Sequence, residues 1–111
     1  MSNCIFCQII EKKIPAKIEY QDEAVLVFHD INPKAPVHLL IIPKEHISNI
    51  NNFEAKKSPM AAKLLLTAKK MAQKMKIDQS GYRLIINNGA DAGQEVDHLH
   101  IHLLGGKKLK F

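Results

Sequence analysis

Residues 98–104 read His-Leu-His-Ile-His-Leu-Leu. Three imidazoles recur at two-residue spacing, separated by large apolar side chains. In an extended chain alternate residues share a face. His98, His100 and His102 are therefore expected on one side, and Leu99, Ile101 and Leu103 on the other, toward a core. Imidazole titrates near neutrality, serves as nucleophile or acid–base group, and binds metals. Gly105 and Gly106 follow at once, so the strand is expected to end at the site. His29, His38 and His46 also fall near loops or strand ends. If these groups converge, one imidazole could attack in a two-step transfer while its partners position it and stabilise charge. Asn87 and the loop 89–93 would add an amide and backbone N–H groups, and a Gly-containing turn can form an anion-binding nest.

A metal competes for the same histidines. The only two cysteines stand as Cys4-Ile5-Phe6-Cys7. In a cytosolic protein that spacing reads as a metal or redox pair rather than a disulfide. Two cysteines and two histidines make a tetrahedral zinc set, with His46 and one of the triple as candidates. If Cys4, Cys7, His46 and His98 bound zinc, His100 and His102 would remain for chemistry. A catalytic zinc held by the three neighbouring histidines is less suited, because same-face positions on one straight strand give poor three-point coordination. Two ordinary cysteines in a short amphipathic helix remain the plain alternative.

The elements that must position these groups follow from patterning. Ile5, Phe6, Ile9 and Ile10 give helical spacing over 4–12. A short strand is expected over 17–20, a turn at 21–23 and a buried strand over 24–28. Two prolines make 30–36 a rigid loop. The next strand, 37–42, stops at Pro43. Ser58-Pro59 suits a helix start, with Ser as the cap. That helix should run to about 76, with Met60, Leu64, Met71 and Met75 in its apolar stripe. A strand at 82–87, a turn at 88–93 and the histidine strand complete the chain. About five strands with short connections imply a largely antiparallel sheet, with one long and one short helix, in a single α+β domain over 1–111.

The chain has 111 residues and a formal net charge of +5, carried by lysine with Arg83 as the sole arginine. Lysines at 56, 57, 63, 69, 70, 74 and 76 gather on or beside the long helix. With few aromatics and no arginine cluster, a nucleic-acid partner is not expected, and the run reads as a solvated face. The positive field would still attract small phosphate-bearing ligands. No apolar run approaches the ~20 residues that span a bilayer. The N-terminus lacks a charged segment followed by a long apolar one, so the cytoplasm is the expected compartment.

The run 98–104 matches the His-φ-His-φ-His-φ-φ signature of histidine triad nucleotide-binding (HIT) proteins, φ being apolar. Cys4-Ile5-Phe6-Cys7-Gln8-Ile9-Ile10, the run 28–38 from Phe28-His29-Asp30 to Val37-His38, Ile42-Pro43-Lys44-Glu45-His46 and Gly93-Gln94-Glu95-Val96 resemble further blocks in family order. The chain thus resembles the Hint branch over nearly its whole length. The resemblance implies a HIT domain that hydrolyses purine nucleoside 5′-phosphoramidates at the α-phosphate through a nucleotidyl-histidine. Dinucleoside polyphosphate hydrolysis and an adaptor role are the alternatives. His100 would be the nucleophile, His102 would contact phosphate and assist the leaving group, and His38 would orient the nucleophile. Asn87, Gly93 and the backbone around Gln94 and Glu95 would hold phosphate oxygens. Asp30 would accept the ribose hydroxyls, while Phe6, Ile9, Phe28, His29, Ile31 and Leu40 would enclose the purine. The resemblance further implies a homodimer with the long helix near its interface. It also implies a structural zinc on Cys4, Cys7, His46 and His98, with no metal needed for the chemistry. Glu95 and Asp97 depart from the family pattern, which has a hydroxyl residue in some members at the first and usually a bulky residue at the second.

Overall fold

The computed structural model describes residues 3–111; Met1 and Ser2, part of the N-terminal run read above, lie outside the described residues. Five strands form one antiparallel sheet in the order β1-β2-β3-β5-β4: β1 Ile18–Gln21, β2 Val25–His29, β3 Val37–Pro43, β4 Tyr82–Ile85 and β5 Ile101–Gly105. The α+β class and the strand count follow the expectation, and every pairing is antiparallel. Two helices, α1 Ile5–Ile10 and α2 Ser58–Lys74, pack on opposite faces. Three single turns of 3-10 helix, at Ile50–Asn52, Ala55–Lys57 and Ala90–Ala92, were not foreseen. Among the described residues no helix is long and apolar enough to cross a membrane.

Strand parity divides the molecule. Odd-numbered Val25, Val27, Leu39, Ile41, Leu99, Ile101 and Leu103 join Leu64, Ala68, Met71 and Ala72 of α2 in the larger core. Even-numbered Leu26, Phe28, Leu40 and Ile42 join Phe6 and Ile9 of α1 in the smaller one. Because successive side chains alternate across the sheet, one face is given to packing. The other is shared between α1 and the polar groups at 38, 98, 100 and 102. The buried stripe of α2 runs Leu64, Thr67, Ala68, Met71, Ala72, the i, i+3, i+4, i+7 recurrence of an amphipathic helix.

Local details differ from expectation. Ser58 does not cap α2: Lys57 holds that position without a side-chain cap bond, since the preceding 3-10 turn feeds straight into the helix and leaves Ser58 already helical (φ −54°, ψ −31°). Lys76 ends the helix in the left-handed region (φ 61°), and the Ile77 N–H donates back to Ala72 O at 3.0 Å. The α2 lysines mainly tie the helix to the edge strand: Lys63 reaches Asp22 at 2.8 Å, Lys74 reaches Glu19 at 2.8 Å, and the Lys70 ammonium sits 4.2 Å above the Tyr20 ring.

Candidate active site

The triple-histidine run is only partly a strand. β5 begins at Ile101, so His102 alone of the three lies in the ladder. The His98 N–H bonds Val96 O at 2.8 Å, and the Leu99 N–H bonds Ile47 O at 2.7 Å. The backbone at 98–100 therefore bends at His98 and pairs with loops, yet the alternation survives. Leu99, Ile101 and Leu103 enter the α2 core, whereas His98 and His100 pack edge-on to Phe6, with ring centroids 5.9 and 5.2 Å away. Gly105 is the last residue of β5, as expected. It lies opposite Val37 and Tyr82, where a Cβ would come within 2.7 Å of Ile77 Cδ1.

Each imidazole is oriented by one identifiable bond. His100 Nδ1 lies 2.6 Å from His98 O. A carbonyl only accepts, so Nδ1 carries the hydrogen and Nε2 keeps the lone pair. His38 is fixed the opposite way: the Lys34 N–H donates to its Nδ1 at 3.0 Å. Nε2 therefore bears the hydrogen, and donates to His102 Nδ1 at 2.9 Å. His102 in turn carries its hydrogen on Nε2. The His38–His102 bond crosses diagonally between β3 and β5, where Leu40 faces His102 and Leu104 faces His38. Burial, with His100 and His38 alongside, pushes the His102 pKa down to about 4. Burial also lowers His38, against the pull of Asp30. Protonating His102 would place a second hydrogen against the His38 N–H, so geometry and electrostatics agree on a neutral ring. Asp30 Oδ2 stands 3.4 Å from His38 Nε2, while Oδ1 accepts from the Asn32 N–H at 2.8 Å.

These groups border a cavity of about 830 Å³, within the ~300–1,000 Å³ usual for small-molecule sites. Phe6, Ile9, Phe28, His29, Asp30, Ile31, His38, Leu40, Asn87, Gly93, Glu95, His100 and His102 all line it. Ile31 is 91% exposed and can serve only as a rim. Gln94 does not line it. Its side chain braces the loop instead, accepting from the Gly89 N–H at 2.8 Å and donating to Ser48 O at 2.8 Å and Val96 O at 2.9 Å. Gly93, in the left-handed region (φ 79°), lets the chain turn there. Lys17, Lys34 and the turn Ile14-Pro15-Ala16 also line the cavity without having been anticipated. That 30–36 is a loop was readable from its prolines, whereas the main-chain donor at Lys34 had no side-chain signal.

Beside the cavity, Cys4, Cys7, His46 and His98 bring one donor atom each within 4.8 Å of one another. His98 Nδ1 stands 3.5 Å from Cys4 Sγ and 3.6 Å from Cys7 Sγ, and His46 Nδ1 stands 3.3 Å from Cys7 Sγ. A tetrahedron with Zn–S of about 2.3 Å and Zn–N of about 2.05 Å has S···N edges of about 3.5 Å. The His98 Nε2–H donates to Pro43 O at 2.8 Å, which leaves the Nδ1 lone pair facing the sulfurs, the outer-shell arrangement of metal-binding histidines. Burial lowers the His98 pKa, keeping the ring neutral. The four residues can hold a metal ion, and the donor set suits one of borderline-soft character.

A HIT domain family model matches residues 11–109. The chain is 52% identical over 108 residues to an uncharacterized HIT-like protein of Buchnera aphidicola subsp. Acyrthosiphon pisum (strain APS), covering 97% of this chain and 95% of that one. It is 45% identical over 105 residues to the purine nucleoside phosphoramidase of Escherichia coli (strain K12), covering 95% and 88%. The crystal structure of a HIT family hydrolase from Legionella pneumophila Philadelphia 1 superposes with a TM-score of 0.96 at 47% identity, covering 98% of this chain and 97% of that one. Histidine spacing, sheet order and overall similarity all lead to one conclusion: the chain belongs to the HIT family.

Proposed function

We propose that the protein is a nucleotide hydrolase that cleaves purine nucleoside 5′-phosphoramidates, transferring the nucleotidyl group to His100 and then to water. The observation that carries this reading is the orientation of His100. The His98 carbonyl holds its Nδ1–H, so Nε2 is the nucleophilic nitrogen on a ring that borders the cavity. Attack on the α-phosphorus forms an N–P bond and breaks the bond to the amine, which departs with a proton drawn from solvent. Water then cleaves the nucleotidyl-imidazole, releasing the nucleoside monophosphate and restoring His100. His102, kept neutral and anchored by His38, offers Nε2–H to a phosphate oxygen or the departing nitrogen. Asn87 and the backbone at Gly93 and Glu95 suit the phosphate oxygens, and the carboxylate of Asp30 suits two ribose hydroxyls. Phe6, Ile9, Phe28 and Leu40 give the purine an apolar slot. The similarity to a named purine nucleoside phosphoramidase supports the substrate class.

Cys4, Cys7, His46 and His98 would hold a structural zinc that ties α1 to the sheet, with no part in bond cleavage. A homodimer fits the exposed apolar residues: Leu65 and Leu66 on α2, and Tyr82 and Leu84 on edge strand β4.

The test is a panel assay of AMP- and GMP-amine phosphoramidates, their 2′-deoxy counterparts and diadenosine polyphosphates. AMP and GMP compounds should be cleaved with similar kcat/KM, because the purine slot is apolar. The deoxy forms should be poorer, since the half-buried Asp30 carboxylate loses a partner, and the polyphosphates poorer still. Faster cleavage of diadenosine polyphosphates would replace this reading with the alternative hydrolase, and AMP binding without turnover would replace it with an adaptor.

A further inference from the structure

His29 is the one imidazole of the cavity wall that neither the triad nor the metal cluster uses. It ends β2, is half-buried, and its Nε2 lies 2.7 Å from Glu19 Oε1 on the neighbouring strand β1. A carboxylate only accepts, so Nε2 carries the hydrogen, and Nδ1 is the ring nitrogen left for a ligand. The other oxygen of Glu19 receives the Lys74 ammonium at 2.8 Å, and the same ammonium donates to Glu19 O at 2.7 Å. Lys74 is the last residue of α2, on the far face of the sheet. Three side chains thus run from the helix end, across the edge strand, to the cavity wall. Glu19 is held ionised, its pKa lowered first by Lys74 and then by His29. Charged hydrogen bonds of this kind are shorter and stronger than neutral ones, and they fix the ring against rotation.

We infer that Glu19, braced by Lys74, is a positioning residue for the nucleoside: it acts through His29 by locking that ring in the cavity wall. The inference rests on the nucleotide reading proposed above. A brace that served only to pin the edge strand to α2, as the Lys63–Asp22 pair does, would act through stability and not through His29.

AMP binding is measured by calorimetry on the metal-loaded full chain, together with kcat and KM for an AMP phosphoramidate. Loss of one hydrogen bond that orders a binding group predicts AMP binding about five- to tenfold weaker in Glu19→Ala, with kcat near that of wild type. Glu19→Gln keeps an acceptor for His29 and should recover most of the affinity, although it weakens the Lys74 pair. In a His29→Ala background, Glu19→Ala should cost nothing further, because coupled residues are not additive. Equal losses in the Ala and Gln variants, or an undiminished Glu19→Ala effect without His29, would mark a structural brace and overturn the inference. Wild-type protein that binds no AMP would overturn the nucleotide reading itself, before any variant is made.

Discussion

His98 and His100 are two residues apart, lie on the same face and pack against the same Phe6 ring, yet they present opposite nitrogens to their surroundings. His98 gives its Nε2–H to Pro43 O and turns Nδ1 to the sulfurs of Cys4 and Cys7. His100 gives its Nδ1–H to His98 O and keeps Nε2 for the cavity. The difference comes from one acceptor each, both of them backbone carbonyls. Residue type alone would assign the two rings the same chemistry. On the proposed reading, what separates the metal ligand from the nucleophile is which nitrogen the fold occupies. The two centres are also joined: the carbonyl that orients His100 belongs to the residue that faces the thiols.

The largest effect should come from breaking the nucleophile's side of this pair. His100→Ala removes the group proposed to form the covalent bond, and turnover of an AMP phosphoramidate should fall by about three orders of magnitude or more. AMP binding should persist, because the purine slot and Asp30 remain. Steady-state kinetics alongside calorimetry checks both. A variant keeping more than about a tenth of the wild-type rate, a barrier change under ~1.4 kcal/mol, would mean that another group attacks.

Breaking the other side should act on stability before rate. Cys4→Ser/Cys7→Ser should abolish a bound metal, expected at about one per chain by elemental analysis. It should also destabilise the fold by several kcal/mol, since metal affinity is folding free energy in such sites. At temperatures where the variant stays folded, kcat should fall only modestly, through the altered carbonyl at His98. Metal-free protein with an unchanged Tm would show that the cluster is an ordinary packing of two thiols and two imidazoles.

The parity of the histidines, the five strands and both helices were legible because period-two and period-3.6 burial is written in side-chain type. So were the cavity's aromatic and aliphatic walls, in the residues flanking Asp30 and in the Cys-x-x-Cys helix. What stayed hidden depends on the main chain or on register. The start of β5 at Ile101 reflects Leu99 pairing with Ile47 rather than with a strand. The tautomer of His38 is set by the Lys34 N–H, a donor every non-proline residue has. The bracing role of the Gln94 side chain was not legible either, because its amide reaches Gly89, Ser48 and Val96 only once the loop is folded. Glu19 and His29 meet only because β1 pairs with β2 through a register shift.

A pH series sharpens the comparison on the reaction side. The folded pKa of His102 is about 4, against about 6.5 unfolded. Between these values the unfolded chain binds more protons. Stability therefore rises with pH across the window, and is lost as pH falls from about 6.5 toward 4. The lowered His38 contributes in the same direction. Thermal unfolding of metal-loaded protein should show this acid loss, and His102→Asn should flatten it. The difference between the two curves isolates the ring from protonation of the metal ligands, which both proteins share. Parallel curves would contradict a neutral, buried His102.

The smallest effect tests the strip of chain between the two centres. Gln94 ties the turn at Gly89 to Ser48 and Val96, and so links the loop beside Asn87 to the segment that leads into His98. Gln94→Ala removes three hydrogen bonds, of which only part of the loss falls on buried groups. A net cost of about 1–2 kcal/mol in stability is expected, with metal content unchanged. If the brace holds the loop for phosphate, kcat/KM should fall by about tenfold, with KM taking the larger share. If the Gln94 side chain instead touched phosphate directly, the loss would appear in kcat and stability would barely change. That split between Tm and kcat distinguishes a side chain that shapes the loop from one that meets the substrate.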